Sequence, residues 1–282
     1  MKFALLGGDD RCVRLCRLLR ADGHAVAAFA LEKALPDCVA SAADAIKGAD
    51  CVLLPLPAEK GGALNAPFSG GAFTFPELLR TAPAGTPVLA GMAGNALRAA
   101  CEERGLPLYD YGRREDFALL NADLTAEGAL SILLDASPRA LRGKRVLIAG
   151  YGRVGRRLAR KLLPLGAAVT VAARSASART EAALDGCGAV TIADAPRGAG
   201  YDAVVNTIPA AVFGAEELAA FGGASLIELA SPPYGFDRAA AEEMGKRVLP
   251  ASGLPGKCAP ESAAEAVKAT VYAIISESEI RK

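Results

Sequence analysis

Between Arg145 and Ala149 the chain runs apolar and β-branched, breaks at glycines, then turns polar with apolar residues at Val154, Leu158, Leu162 and Leu165. The first run fits a buried parallel strand, and the second places one apolar stripe on a helix of about 3.6 residues per turn. Gly166 ends that helix, and Ala168 to Ala173 forms the next strand. The opening of the chain repeats this unit without a gap. Phe3 to Phe29 aligns with Val146 to Ala172, with Gly7 on Gly150, Arg14 on Arg157, Leu15 on Leu158, Leu19 on Leu162 and Gly23 on Gly166. Each half thus begins strand, turn, helix, strand. The pattern predicts an α/β fold of two Rossmann-like, doubly wound parallel-sheet domains with a cleft between them.

Further strands are expected at Cys51 to Leu54, Pro87 to Gly91, Pro107 to Tyr111, Ala203 to Asn206 and Ser225 to Leu229. Helices are expected at Asn95 to Arg104 and at Leu124 to Leu134, the second carrying the chain from one domain to the next. Gly61 to Thr74, with Asn65, Pro67 and Ser69 among its glycines, has no periodicity and predicts a mobile loop. Ser262 to Glu265 reads as a capping box opening a helix with Ala264, Val267, Val271 and Ile274 on one face. That stripe must be buried, which returns the helix to the first domain. The domains are therefore drawn as 1–120, the substrate side, completed by helix 261–280, and 121–260, the dinucleotide-binding domain with its linking helix.

Composition narrows the class. At 282 residues the chain exceeds one comfortable core. Its 32 basic and 31 acidic residues leave a net charge of +1, which gives no nucleic-acid footprint. The apolar run from Phe3 stops at Gly7, too short for a signal peptide, and no stretch approaches the ~18 apolar residues of a membrane span. A cytoplasmic protein without a membrane partner is expected. Seven cysteines without a CxxC pair read as reduced core residues, and no metal site is expected. His24 is the only histidine, and the internal alignment puts it beyond the helix, at the wrong end of the sheet for catalysis. Histidine-based oxidation of hydroxy acids and Ser-His-Asp hydrolysis are thereby disfavoured.

Candidate chemistry follows the glycines. Gly150 suits the tight turn, Gly152 the approach of backbone to a pyrophosphate, and Gly155 the packing of helix on strand, with Arg153 and Val154 in the helix's first turn. At the end of the next strand, where NAD-binding chains carry an acid for the ribose 2′-hydroxyl, this chain has Arg174, followed by Ser175, Ser177 and Arg179. That loop suits a 2′-phosphate and predicts NADP, with NAD as the alternative. Asn206, Thr207, Ile208 and Pro209, and Ala230 and Ser231, each follow a strand where small side chains and backbone normally line a nicotinamide. In the first half Asp9 replaces Gly152 and Cys12 replaces Gly155, so that half is expected to keep the architecture and lose the nucleotide site. Asp9, Asp10 and Arg11 then lie at the carboxyl end of a parallel sheet, as ligand contacts or as caps of the helix. Asn95, Arg114, Asp116, Asn121 and Glu127 complete the candidates.

The motifs GGDDR (Gly7 to Arg11), NADLTAEG (Asn121 to Gly128), GYGRVG (Gly150 to Gly155), AARS (Ala172 to Ser175), NTIP (Asn206 to Pro209), ELASPPYG (Glu228 to Gly235) and GLPGKCAP (Gly253 to Pro260) occur in this order. Together they resemble the family of dipicolinate synthase A-subunits from spore-forming bacteria, over nearly the whole chain. Where that family usually carries Gly-Gly, this chain reads Pro-Pro-Tyr-Gly at Pro232 to Gly235. The resemblance implies a sporulation enzyme that oxidises 4-hydroxy-tetrahydrodipicolinate, or its dehydrated dihydro form, to pyridine-2,6-dicarboxylate, with NADP taking the hydride. A carboxylate among Asp9, Asp10, Asp116 and Glu127 would remove the proton. Arg11 and Arg114 could each grip a substrate carboxylate, with Asn95 and Asn121 as neutral donors. Gly253, Leu254 and Pro255 join the cofactor-binding set. The resemblance also implies a second, flavoprotein-like partner, and a homo-oligomer is expected. Two alternatives stay open: another two-domain NADP-dependent dehydrogenase of the shikimate or alanine dehydrogenase type, and a subunit that binds NADP without turnover.

Overall fold

The structure, a computed structural model, describes residues 1–136, 139–198 and 200–278. Two compact units result, one made of Met1–Asn121 and the chain from Ala259 onward, the other of Ala122–Cys258. The first contains β1 (Lys2–Leu6), α1 (Asp10–Ala21), β2 (Ala25–Phe29), α2 (Ala42–Ile46), β3 (Cys51–Leu53), β4 (Glu59–Lys60), β5 (Ala63–Leu64), α3 (Phe75–Leu78), β6 (Val88–Ala90), α4 (Asn95–Glu103) and β7 (Leu108–Asp110). α5 (Glu115–Asp135) follows. The second unit contains β8 (Arg145–Ala149), α6 (Arg153–Leu162), β9 (Ala168–Ala172), α7 (Ala176–Leu184), β10 (Gly188–Val190), β11 (Ala203–Asn206), α8 (Ala215–Ala220), β12 (Ser225–Glu228), α9 (Arg238–Glu243), β13 (Val248–Pro250) and α10 (Leu254–Cys258). α11 (Pro260–Glu277) returns to the first unit.

Both main sheets are wholly parallel. The first runs β2-β1-β3-β6-β7, the flavodoxin-like order, and the second β10-β9-β8-β11-β12-β13, the dinucleotide-binding order 3-2-1-4-5-6. Strand residues alternate between two cores. Phe3 and Leu5 face α1 and α11, through Leu15, Leu19, Val267 and Val271, while Ala4 and Leu6 face Ile46, Leu79 and Leu97. In the second unit Val146 and Ile148 pack with Leu158, Leu162 and the α5 residues Ala126, Ala129 and Leu133, and Leu147 and Ala149 pack with Phe213 and Leu218. Each such buried branched side chain contributes roughly 1.5–3 kcal/mol, so α11 is held by its apolar stripe and not by its intrinsic propensity.

The internal repeat is a structural one. β1 pairs β2 from Lys2 on Ala25 to Leu6 on Phe29, and β8 pairs β9 from Arg145 on Ala168 to Ala149 on Ala172, the same register at every step. The turns match as well: Gly7 N–H donates to the Phe29 carbonyl and Gly150 N–H to that of Ala172, both at 2.8 Å.

Five expectations are corrected. Gly61 to Thr74 is not a featureless loop: its first residues close the β4–β5 hairpin, with Gly61 and Gly62 at φ +61° and +81°, the left-handed pair that a two-residue hairpin turn requires. Helix α6 stops at Leu162, so Leu165 falls in the turn before Gly166 and is 47% exposed instead of extending the buried stripe. Ser262 caps nothing, because α11 already starts at Pro260, whose missing N–H and fixed φ suit the first helical turn. The expected end of that helix, at 279 and 280, lies outside the described residues. The linking helix starts at Glu115, nine residues before Leu124. Against the expectation that no stretch comes near a membrane span, α5 is long and apolar enough for one by length and composition, while its Ala126, Ala129 and Leu133 are fully buried in the second unit's core.

Candidate functional site

The second unit builds its edge around three glycines. Gly150 takes φ +94°, and a Cβ there would lie 2.5 Å from Thr207 Oγ1 and 2.9 Å from Ile208 Cγ1. At Gly155 a Cβ would fall onto the Gly150 carbonyl oxygen, so only glycine lets α6 pack this close to β8. Gly152 is different. It is the N-cap of α6 without a side-chain cap, and a Cβ on it would meet nothing within 4 Å. Open space over an uncapped helix N-terminus, entered by Arg153 and Val154, is what a pyrophosphate requires, and the residues present fit a dinucleotide. Tyr151 braces the turn by donating its hydroxyl to Asp185 at 2.5 Å, and Arg156 donates Nε to the Tyr151 carbonyl at 3.0 Å.

After β9 the loop is shaped by Arg179, whose Nη1 donates to the carbonyls of Ala173 at 2.9 Å and Arg174 at 2.7 Å. Ser175 caps α7 by accepting from Ala178 N–H at 3.2 Å, and Ser177 donates to the Ser175 hydroxyl. Both are therefore occupied within the loop. The Arg174 side chain is exposed and has no partner among the described residues.

Asn206 and Thr207 end β11 without pointing their side chains outward. Asn206 is fully buried, donates to the Ile208 carbonyl at 2.9 Å and to Glu228 Oε1 at 2.6 Å, and accepts from Ile208 N–H at 3.1 Å. Thr207 donates to the Ala149 carbonyl at 2.7 Å. Their work is to fix the course of Ile208 and Pro209. Glu228 was not among the expected site residues, although an acid ending the apolar run Leu226-Ile227 is a visible signal. Only 1% exposed, it also accepts from Ala230 N–H at 3.1 Å, Gly235 N–H at 2.8 Å and Phe236 N–H at 3.2 Å. It thereby folds the loop that carries Ala230 and Ser231. In that loop Tyr234 adopts φ +66°, the conformation a glycine would take easily, and Arg238 stacks 3.8 Å over its ring. Gly253, at φ +68°, precedes α10, while Leu254 and Pro255 are buried, Leu254 against Gly128 of α5, where a Cβ would come within 2.7 Å.

The first unit's edge has the same backbone and a different content. Asp9 is the N-cap of α1 and accepts from Arg11 N–H at 3.1 Å. Its carboxylate also binds the Arg11 guanidinium, Nε at 3.0 Å and Nη2 at 2.7 Å, and Nη2 reaches the Leu56 carbonyl. Arg11 is largely buried; burial opposes its charge, but the Asp9 hydrogen bond prevails and raises its pKa. Over Gly7 and Gly8 sits the hairpin: Gly8 N–H donates to the Asn65 carbonyl at 2.9 Å, and a Cβ on Gly7 would meet Leu64 at 2.8 Å. Where the second unit is open at Gly152, the first carries the Asp9 carboxylate tied to Arg11. Burial pushes the Cys12 thiol up to about 12, so it is no nucleophile.

The other candidates separate. Asp10, in the first turn of α1, and Asn95, in the first turn of α4, are exposed and make no side-chain bond among the described residues. Asp110, not anticipated, shapes the loop before Asn95 by accepting from Met92 N–H at 2.8 Å and Ala93 N–H at 3.0 Å, and pairs with Arg98 at 3.1 Å. Arg114 is held between Asp116 at 2.9 Å and Glu277 at 2.5 Å, bonds that raise its own pKa and lower both acids. Glu127, on α5, pairs with Lys161 at 3.0 Å, as does Asp123 at 3.1 Å. Asn121, also on α5, closes the first unit's N-terminal segment.

A sheet in the order 3-2-1-4-5-6 with a glycine turn open at its helix end is that of a dinucleotide-binding domain. Residues 124–222 match the family described as D-isomer specific 2-hydroxyacid dehydrogenase, NAD binding domain, so the chain is an NAD(P)-dependent oxidoreductase. Residues 2–112 match the N-terminal domain of the dipicolinate synthase A-subunit. The dipicolinate synthase A-subunit of Bacillus subtilis (strain 168) is 30% identical over 289 residues, covering 98% of this chain and 96% of its own length. The chain belongs to the dipicolinate synthase A-subunit family. Solved structures agree: that of the Bacillus halodurans A-subunit superposes with a TM-score of 0.86 at 27% identity, covering 97% of each chain. Its Bacillus subtilis counterpart superposes at 0.87 with 25% identity, covering 100% of this chain and 98% of its own. A Sinorhizobium meliloti transhydrogenase, at 19% identity, TM-score 0.70 and coverage of 95% and 89%, shares the fold.

Proposed function

We propose that this chain oxidises 4-hydroxy-tetrahydrodipicolinate, or the dihydro compound left when it loses water, to pyridine-2,6-dicarboxylate, using NADP. The observation that carries this reading is similarity to the dipicolinate synthase A-subunit along the whole chain, joined to a glycine turn left open at Gly152. The bound dinucleotide supplies the hydride acceptor. Gly150, Gly152 and Gly155 seat its pyrophosphate, and the unpaired Arg174 takes the 2′-phosphate.

On the substrate side the roles go to the first unit's carboxyl edge. Arg11 is oriented by Asp9 and the Leu56 carbonyl and keeps Nη1 free of any bond among the described residues, so it grips one ring carboxylate. Asn95 donates to the other. Of the four candidate carboxylates Asp10 alone lacks a partner among the described residues, since Asp9 serves Arg11, Asp116 serves Arg114 and Glu127 serves Lys161. Asp10 therefore takes the ring proton as the hydride leaves, and the gain of aromaticity drives the step. Arg114, neutralised on both sides, is assigned to the joint of α5 and α11.

The relative is named as one subunit of a synthase, so the assay compares the chain alone with the chain plus a flavoprotein-like partner. Dipicolinate should appear with one NADPH formed per ring oxidised. Arg11→Lys should raise KM for the dicarboxylate about tenfold while cofactor affinity stays put, because a single ammonium cannot hold Asp9 and the Leu56 carbonyl as Nε and Nη2 do and still present a second donor to the substrate. Turnover of a monocarboxylate hydroxy or amino acid, with none of the tetrahydrodipicolinate under either condition, would overturn the reading.

A further inference from the structure

We infer that Glu228 is a fixed buried anion that makes the second unit bind the oxidised, cationic nicotinamide in preference to the reduced, neutral one. The inference rests on the reading of this unit as a dinucleotide site and names a residue that sets which redox form it holds.

Glu228 ends β12 and pairs in register with Asn206, the last residue of β11, at the carboxyl edge where parallel α/β sheets take their ligands. It is 1% exposed, and every group that faces its two oxygens is an N–H donor: the Asn206 amide and the backbone of Ala230, Gly235 and Phe236. A carboxyl proton would find no acceptor there and would displace a donor, so the hydrogen-bond geometry selects the carboxylate. No lysine or arginine pairs with it among the described residues, and Arg238, flanking the same loop, stacks on Tyr234 instead. A buried charge without a counter-ion is costly to the fold, and here it is held by four hydrogen-bond donors in place of a cation.

What remains is a negative charge with neutral neighbours, shielded from water, two residues from Ala230 and three from Ser231. In a low-dielectric setting its field reaches further than that of a solvated acid. The two redox forms of the cofactor share the adenine, ribose and phosphate groups and differ at the ring, which is positive only when oxidised. Glu228 therefore acts on the difference between the two affinities. A residue that merely shaped the loop would change both together.

The test titrates the intact chain with NADP⁺, NADPH, 2′-phospho-ADP-ribose and ADP-ribose, the last two lacking the nicotinamide, in the wild type, Glu228→Gln and Glu228→Asp. The wild type should bind the oxidised form more tightly. Glu228→Gln should lower the oxidised-to-reduced preference about tenfold and leave 2′-phospho-ADP-ribose unchanged, whereas Glu228→Asp, which keeps the charge, should hold the preference within about twofold. An unchanged ratio in Glu228→Gln, or a wild type that favours NADPH, overturns the inference. If circular dichroism shows Glu228→Gln unfolded, the wild-type and Glu228→Asp ratios decide by the same criteria. Failure of the wild type to bind either 2′-phospho-ADP-ribose or ADP-ribose would instead remove the dinucleotide reading, and the inference with it.

Discussion

Replacing Gly152 by Asp would convert the second glycine turn into a copy of the first. The backbone is already alike, φ −101° and ψ −163° at Asp9 against φ −84° and ψ −160° at Gly152. With nothing within 4 Å of a Cβ at 152, the side chain enters without a clash. Its contributions all favour the fold. An Asp cap gains a few tenths of a kcal/mol over glycine, about 0.3–1 kcal/mol comes from an anion at a helix N-terminus, and about 0.4–1 kcal/mol from the less flexible unfolded chain. The total of roughly 1–2 kcal/mol should raise the melting temperature by about 2–6 °C in a chain of this size. Cofactor binding should fall by about a hundredfold or more, because the new carboxylate stands where the pyrophosphate must approach. Gly155→Ala gives the opposite stability result: its Cβ would press on the Gly150 carbonyl oxygen and lie 3.5 Å from Ile148, and such overpacking costs about 1–3 kcal/mol. Differential scanning fluorimetry and an NADPH fluorescence titration read both effects. A Gly152→Asp chain that melts higher yet binds NADPH as the wild type does would refute the placement of the phosphates over this turn.

Arg174→Ala should weaken NADPH about ten- to a hundredfold and leave NADH nearly untouched, as expected for loss of a charge-assisted pair; equal losses for both would remove its role in selectivity. Calorimetry should give one dinucleotide per chain, since the Asp9 carboxylate stands at the first unit's counterpart of Gly152 and the Asn65 carbonyl takes the Gly8 N–H, and a stoichiometry near two would contradict that. The pair around Arg114 should show in acid. Asp116 and Glu277 have folded pKa values below their unfolded ones, so their stabilisation is present above about pH 4 and is lost as pH falls through the lowered values. The melting deficit of Arg114→Gln should therefore be largest near neutrality and shrink below about pH 4; a deficit constant with pH would assign the effect to packing instead.

Local signals were enough for the two strand-turn-helix-strand units, because each depends on residues adjacent in sequence: a β-branched run, a glycine free to take positive φ, and a stripe at helical spacing. Gly7 and Gly150, both at positive φ, and the shared register of β1–β2 and β8–β9 carry that correspondence. The equally short β3 and β6 are wholly buried apolar runs, whereas β10 and β13 lie at the two edges of their sheet, largely unburied, with Gly188 in one and Pro250 in the other, and leave no such run; the hairpin at Gly61-Gly62 was hidden by the glycines that make it. For Ser262 a local motif was present and unused, since Pro260 had already fixed the start of α11. The exposed Leu165 shows the converse: a stripe read past the last helical turn.

The candidate site divides along the same line. Gly152 and Arg174 can be singled out from sequence because the roles proposed for them need only position, one open at the head of a helix and the other, among the described residues, unpaired at the end of a strand. Asn206 is placed correctly at the edge by its position in sequence, yet the direction of its side chain depends on Glu228, which stands opposite only because β11 and β12 pair in register. Neither residue is tolerable alone in that interior: Glu228 without Asn206 loses a donor to a buried oxygen, and Asn206 without Glu228 leaves an amide proton with fewer acceptors. Such a pair cannot be found by scanning for ligand-facing residues, because its members face each other. It can be found by asking which polar residues end adjacent parallel strands, a question that becomes answerable once the strand order is known. Asked of the first sheet, it returns Asp110 at the end of β7, which holds the backbone of Met92 and Ala93 after β6 as Glu228 holds that of Ala230 after β12. In both units, then, an acid at a strand end sets the path of a loop on the carboxyl edge of its sheet. The two differ in charge environment, since Asp110 has Arg98 at 3.1 Å and Arg113 at 3.3 Å whereas Glu228 is met by neutral N–H donors.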